Sequence, residues 1–410
     1  MARAVGDSDS VRRQNRGLVL QALRLRGPMA RTSLAAETGL SHASITAITA
    51  DMVGQGLLLD LPGVSESDGR RGRPPVLVGF NRGAAAAVLV EIDVNRARTS
   101  LLDYAATLID RLEVPLTPES FAQVRPSEFI AGRLDQLASR NPSAAAGLRH
   151  IAISVQGILG PDGVSLRWSP VRHLADQPLV APLAARFGVP VSLHKRGRLL
   201  AEGVRWLDPA LHDESVATVF LGSTVAMGIT SPGPMLGGDH EGATEFGHMN
   251  HQPGGALCRC GMRGCIEAYA ADYGVLRAAY AVPEATPPAA SVPAAQYDAL
   301  IARAEQGDRG VLHAFHLAGR AVGFGLSRLM TVFSPSHVLL VGPGARALGL
   351  MRGEIEAALA QSLVCKVNGA PRLVAHFDER EPIFLGLAKK TLDAIDQSHF
   401  APLPALQHRA

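Results

Sequence analysis

Apolar residues recur at helical intervals through the first fifth of the chain. From Val11 to Arg26, Leu18, Ala22 and Leu25 are spaced four and three apart with Arg between them, which predicts an amphipathic helix ended by Gly27-Pro28. Residues 31–38 predict a short second helix with Leu34 and Ala35 inward, and Gly39 supplies a tight turn. Ser41 is the expected N-cap of a third helix running to about Gly54, with Ile45, Ile48, Met52 and Val53 as its buried stripe. Two β-prone runs, residues 56–61 and 75–80, flank a polar, Gly-rich stretch and suit the strands of a wing. Helix, tight turn, capped helix and wing together predict a winged helix-turn-helix.

Beyond residue 80 the pattern changes. Residues 84–94 are almost continuously apolar and predict a buried strand, with Thr99-Leu-Leu-Asp103 starting its neighbour. Further strands are expected at 150–155, 189–193, 216–221 and 337–341, with helices at 125–139 and 312–333 between them. This alternation predicts an α/β body. The Pro- and Ala-rich stretch from Thr286 to Pro293 reads as a loop. The expected division is a DNA-binding head over residues 1–80 and an α/β unit over residues 81–410.

Charge sharpens the reading of the head. The 410-residue chain has a formal net charge of +3. All of that excess falls in residues 1–80, where ten Arg face seven acids, while the remainder balances 30 against 30. A small basic excess on a winged helix fits a nucleic-acid partner. The third helix carries little charge, so base-edge contacts are expected from Ser41, His42, Ser44 and Thr46. Much of the affinity is expected from Arg-rich flanks. Arg70, Arg71 and Arg73 lie in Gly69-Arg-Arg-Gly-Arg-Pro-Pro75, whose core matches an AT-hook suited to a narrow A·T minor groove. The alternatives are a protein-interaction module and a solvated basic linker. No secretory signal or apolar run of membrane-spanning length is read from the sequence, and one lone cysteine outside a single cluster leaves no disulfide framework, so a cytoplasmic protein is expected.

That cluster is the sharpest chemical feature. His248, Cys258, Cys260 and Cys265 fall within eighteen residues and use three of the four cysteines. One imidazole and three thiolates make a full tetrahedral set for a structural zinc ion. Nearby glycines allow the turns that aim several ligands at one centre.

With its flanks the cluster reads Glu245-x-Gly-His248, then Cys258-x-Cys260-Gly-x-x-Gly-Cys265-x-Glu267. This segment, behind a winged helix, resembles the repressor branch of the ROK family (repressors, open reading frames and sugar kinases). The resemblance implies an actin-like, ribonuclease-H-like pair of α/β lobes with a cleft between them. It also implies a sugar site using Glu245, His248 and Glu267. One nitrogen of His248 can hold zinc while the other reaches a sugar hydroxyl, and the carboxylates accept from vicinal hydroxyls. For Glu267 a helix-start carboxylate is the structural alternative.

Departures from the family pattern bear on activity. Family kinases carry Asp-x-Gly-Gly-Thr-Lys at the first strand; this chain has Asp93-Val-Asn-Arg-Ala-Arg98. The second phosphate loop is Gly222-Ser-Thr-Val-Ala226, short of glycines, and the third keeps only Gly342-Pro-Gly344. Backbone can then no longer approach a polyphosphate closely. Anchored on Pro190-Val191 and Glu202, the family's general-base Asp aligns with Arg196. Arginine stays protonated and cannot take that proton. Two roles for Arg196 stand open: gripping an anionic effector such as a sugar phosphate or sugar acid, or pairing internally with Glu245 or Glu267.

The resulting expectation is a non-enzymatic regulator, a repressor, bound to operator DNA as a homodimer or homotetramer and controlled by a carbohydrate effector. An active sugar kinase and a regulator answering to a protein partner are the alternatives.

Overall fold

The structure is a computed structural model and describes residues 8–62, 76–232 and 244–400. Arg70, Arg71 and Arg73 lie outside the described residues. The head comprises α1 (Ser8–Arg26), β1 (Met29–Ala30), α2 (Arg31–Thr38), α3 (His42–Gly54), β2 (Leu58–Pro62) and β3 (Val76–Phe80). Its antiparallel sheet has the order β1-β3-β2, so the two-residue strand before α2 extends the wing. Gly39 closes α2 at φ 70°, a left-handed position that only glycine takes freely. Ser41 caps α3 by accepting from the Ser44 N–H at 3.1 Å.

The buried stripes differ slightly from the periodicity reading. In α1 the buried residues are Val19, Leu20, Ala22 and Leu23, whereas Leu18 is 38% exposed. In α3 Thr49 is buried with Ile45 and Met52, while Ile48 and Val53 are only half-buried. The reason is the breadth of the surface covered. This core continues past the head to Ala85, Ala87, Tyr104, Leu392 and Ile395 of the body.

The first lobe contains β4 (Ala86–Ile92), β5 (Arg96–Asp103), β6 (Leu108–Pro115), α4 (Pro126–Arg140), α5 (Pro142–Ala146), β7 (Leu148–Val155), the hairpin β8 (Ile158–Leu159) and β9 (Leu166–Trp168), α6 (Val180–Phe187) and β10 (Val191–Lys195). The five-stranded sheet has the order β10-β7-β4-β5-β6; the first three strands are parallel and the last two join antiparallel. One face packs on α4 and α6 through Ile130, Leu134, Leu183, Ile151 and Ile153.

Helix α7 (Arg196–Leu207) leaves the end of β10 and leads to the second lobe. There follow β11 (Val216–Leu221), β12 (Val225–Thr230), α8 (Glu267–Ala270), α9 (Asp272–Ala279), α10 (Ala294–Glu305), α11 (Arg309–Val332), β13 (His337–Val341), α12 (Leu348–Leu359), α13 (Leu363–Asn368), β14 (Arg372–His376) and α14 (Arg380–Phe400). Its sheet order is β12-β11-β13-β14, parallel except for β12. The strands and helices expected in the body all appear, and residues 286–293 carry neither helix nor strand.

Helices α7 and α14 are buried between the lobes. Leu199, Leu387 and Ala388 pack on Leu89, Leu102 and Ala152 of the first sheet, while Leu200, Val204 and Ile383 pack on Phe220, Leu339 and Val341 of the second. The two helices touch backbone to backbone. A Cβ on Gly203 would collide with the Pro382 carbonyl, and one on Gly386 with the Leu199 carbonyl. Among the described residues no helix is long and apolar enough to cross a membrane.

Candidate metal centre and effector pocket

The cysteine cluster is built by a loop folded on itself. The Cys258 N–H donates to the Met262 carbonyl at 2.9 Å and the Gly261 N–H to the Cys258 carbonyl at 3.0 Å. Gly261 sits at φ 87°, and at Gly264 a Cβ would strike the Gln252 carbonyl. The His248 Nδ1 lies 3.8 Å from Cys258 Sγ, and Cys260 Sγ lies 3.8 Å from Cys265 Sγ. All four donor atoms fall within 4.8 Å of one another. A tetrahedron with metal–sulfur bonds of ~2.3 Å has edges of about 3.8 Å, so the separations fit a metal ion. They are far from the ~2.05 Å of a disulfide, and all four cysteines are free thiols. Crowding polarises the thiols. Hydrogen bonds from Cys258 and Cys265 hold Cys260 far below the usual thiol range, while Cys258 and Cys260 push Cys265 above it. The four residues together form a group that could hold a metal ion.

The same loop forms one wall of a small cavity of about 60 Å³ between the lobes, lined by Lys195, Arg196, Arg198, Glu245, His248 and Glu267. Every residue expected at the sugar site is therefore brought together. His248 lines this cavity while its Nδ1 meets the thiols, and the Trp168 ring packs edge-on against the imidazole at 5.1 Å. Glu267 opens α8 and is fully buried. Its Oε2 accepts from the Val225 N–H at 3.1 Å and its Oε1 from the Tyr273 hydroxyl at 3.3 Å. Burial, reinforced by the Cys258 charge, pushes Glu267 up to about 7. It is thus both a helix-start carboxylate and a pocket residue.

Arg196 does not pair with Glu245 or Glu267. Lys195, one residue earlier on β10, takes Glu245. Arg196 begins α7 and reaches the β4–β5 turn instead. Its Nη1 lies 3.4 Å from Asp93 Oδ2 and its Nη2 3.8 Å from Glu379 Oε1, with the Phe220 ring 5.4 Å beneath. Asp93 also meets Arg96 Nε at 3.2 Å and accepts from the backbone N–H groups of Asn95 and Arg96 at 2.9 and 3.0 Å. Arg96 in turn reaches Glu379 at 3.4 Å. This four-residue knot occupies the first phosphate-loop position and borders a second cavity of about 450 Å³ beside Gly222, Ser223 and Gly344.

A third polar assembly joins head to body. Arg24 grips Asp396 with both terminal nitrogens, at 2.6 and 3.0 Å. The Tyr104 hydroxyl donates to the same carboxylate at 2.7 Å, and the guanidinium lies over Phe80 and Tyr104. Sequence reasoning left Arg24 on the polar face of α1; its partner stands 372 residues away and no local signal marks it. On α3, Ser41, His42 and Thr46 are exposed and Ser44 is half-buried, with the Thr46 hydroxyl donating to the His42 carbonyl at 2.8 Å.

Fold and site together define a two-lobed, sugar-kinase-like body carrying a winged-helix head. The ROK family profile matches residues 90–386, and the chain belongs to the ROK family. The xylose repressor of Bacillus subtilis (strain 168) is 23% identical over 363 residues, covering 88% of this chain and 91% of that protein. The DNA-binding transcriptional dual regulator NagC of Escherichia coli (strain K12) is 24% identical over 381 residues, 92% and 93% of the two chains. In structure, a ROK family transcriptional regulator described as a homologue of the E. coli Mlc protein superposes with a TM-score of 0.73 at 20% identity, over 95% of this chain and 99% of that one. The ROK hexokinase from Thermus thermophilus gives 0.58 at 26% identity, over 76% of this chain and 99% of its own.

Proposed function

We propose that this protein is a DNA-binding transcriptional regulator, a repressor, in which residues 1–80 read operator DNA and residues 81–410 form a catalytically silent kinase-like sensor for a carbohydrate effector. The observation that carries the reading is the buried Arg24–Asp396–Tyr104 joint, which ties the winged helix to the two-lobed body. Likeness to repressors over 88% and 92% of the chain supports it. Ser41, His42, Ser44 and Thr46 would face the major groove, with Arg70, Arg71 and Arg73 in the adjacent minor groove. A homodimer or homotetramer, acting in the cytoplasm, would match a palindromic operator.

Arg196 cannot serve as a general base, and the arginine–carboxylate knot fills the position where a phosphate loop would be needed. His248, Cys258, Cys260 and Cys265 would hold structural zinc. When bound, the ion supplies charge for three thiolates and fixes the loop that presents Glu245 and His248 to the cleft. The Cys260→Ser variant is expected to lose metal, measured by elemental analysis, together with its effector response.

The deciding experiment is a DNase footprint on the DNA upstream of the protein's own gene. A protected palindrome flanked by A·T tracts is expected. A coupled ATPase assay with neutral sugars is expected to show no turnover. Sugar-dependent turnover without a footprint would replace this reading with a kinase.

A further inference from the structure

The start of α7 has the wrong charge for a helix standing alone. Helix N-termini carry partial positive charge and favour acids. Here the N-cap is Lys195, with no capping side chain and no acid in the first turn, and Arg196 and Arg198 follow. Three cations thus crowd the positive end of a helix, against its dipole. Local rules broken in this way concentrate at functional sites.

A second observation points to what is missing there. Arg196 is only 6% exposed, yet its Nε has no hydrogen-bond partner. Its terminal nitrogens stand 3.4 and 3.8 Å from Asp93 and Glu379, beyond the ~2.7–2.9 Å of a charge-assisted hydrogen bond. Both carboxylates have Arg96 as another partner, so neither depends on Arg196. The buried Nε of Arg198 is also unpartnered. Arg196 lines both the small cavity and the adjoining 450 Å³ one, so it stands where the two meet. The rest of the lining is of another kind. Glu245, His248 and the Trp168 ring suit hydroxyls and a sugar face.

We infer that the effector is an acidic sugar, with its carboxylate or phosphate seated at the start of α7 against Arg196 and Arg198 and its hydroxyl end toward Glu245 and His248. This rests on the sensor reading above. Binding would complete the helix cap and draw Arg196 from its loose pairing with Asp93 and Glu379.

Calorimetric titration of the full-length protein with matched probes tests this: glucose, glucuronate, gluconate and glucose 6-phosphate, then galactose and galacturonate, with inorganic phosphate as the bare anion. At least one acid should bind about tenfold or more tighter than its neutral parent and than inorganic phosphate. The carboxylate and phosphate arms tell which anion the site takes. Arg196→Gln should bring the preferred acid down to its neutral parent, while Arg196→Lys keeps part of the preference; melting curves of both variants confirm folding. Neutral sugars binding as well as acids, inorganic phosphate binding as tightly, no acid binding at all, or a preference surviving in Arg196→Gln would each overturn the inference. A retained operator footprint alongside such a failure leaves the regulator standing; acid binding without any footprint sinks the regulator and keeps the site.

Discussion

Two buried arginines meet the two ends of helix α14, and they are held differently. Arg24 forms a closed two-pronged clamp on Asp396 near the C-terminal end, with a tyrosine hydroxyl completing the carboxylate. Arg196 meets Glu379, just before the first residue of the same helix, at 3.8 Å, and shares Asp93 with Arg96. Burial is alike, since side-chain exposure is 3% for Arg24 and 6% for Arg196. What differs is saturation. A bidentate, fully desolvated pair is costly to break, because breaking it strands a charge. A loose pair whose carboxylates have other partners can exchange one of them for a ligand.

The strongest way to break the comparison is Asp396→Ala. It leaves Arg24 buried and uncompensated and should lower stability by about 3–5 kcal/mol, read by urea unfolding. Acid titration adds a test at a separate buried group. His150 is buried on β7, where its Nε2 meets the Ser192 hydroxyl of β10 at 2.9 Å, and burial followed by the nearby His194 lowers it to about 4. The unfolded chain, near the ordinary ~6.5, then binds the proton more readily between those values. Stability contributed by neutral His150 is complete above about pH 6.5 and declines toward pH 4, by on the order of 2 kcal/mol. In a His150→Asn variant that acid-side slope should flatten; an unchanged slope would assign it elsewhere. Tyr104→Phe removes one hydrogen bond from the joint and should cost about 1 kcal/mol in the same unfolding assay. Arg196→Gln should change stability least, by less than about 1 kcal/mol, because Asp93 and Glu379 both retain Arg96. A loss as large as that of Asp396→Ala would make the two arginines equivalent and erase the distinction.

Much of this was legible in the sequence wherever the signal is local. Ser41 before an apolar stripe marked α3, and four ligand-type side chains within eighteen residues marked the cluster that could hold a metal. Long-range pairings were not legible. Arg196 lies 103 residues from Asp93, and nothing near either position distinguishes this pair from the expected ones with Glu245 and Glu267. Helices α7 and α14 also escaped the periodicity reading. Each packs on both sheets and carries an interior glycine, a residue of low helix propensity. In the fold Gly203 and Gly386 are contact points where a side chain would not fit.

Those glycine contacts have a mechanical consequence. Where Gly203 and Gly386 meet the facing backbone, α7 and α14 pack closely enough to act as one stiff arm. From Arg380 to Asp396 the arm is roughly 24 Å long at 1.5 Å per residue. A tilt of about 5° at the end near Arg196 would carry Asp396 through roughly 2 Å, more than a hydrogen bond can stretch and survive. On the reading proposed above, an effector seated at one end would therefore strain the head's joint at the other.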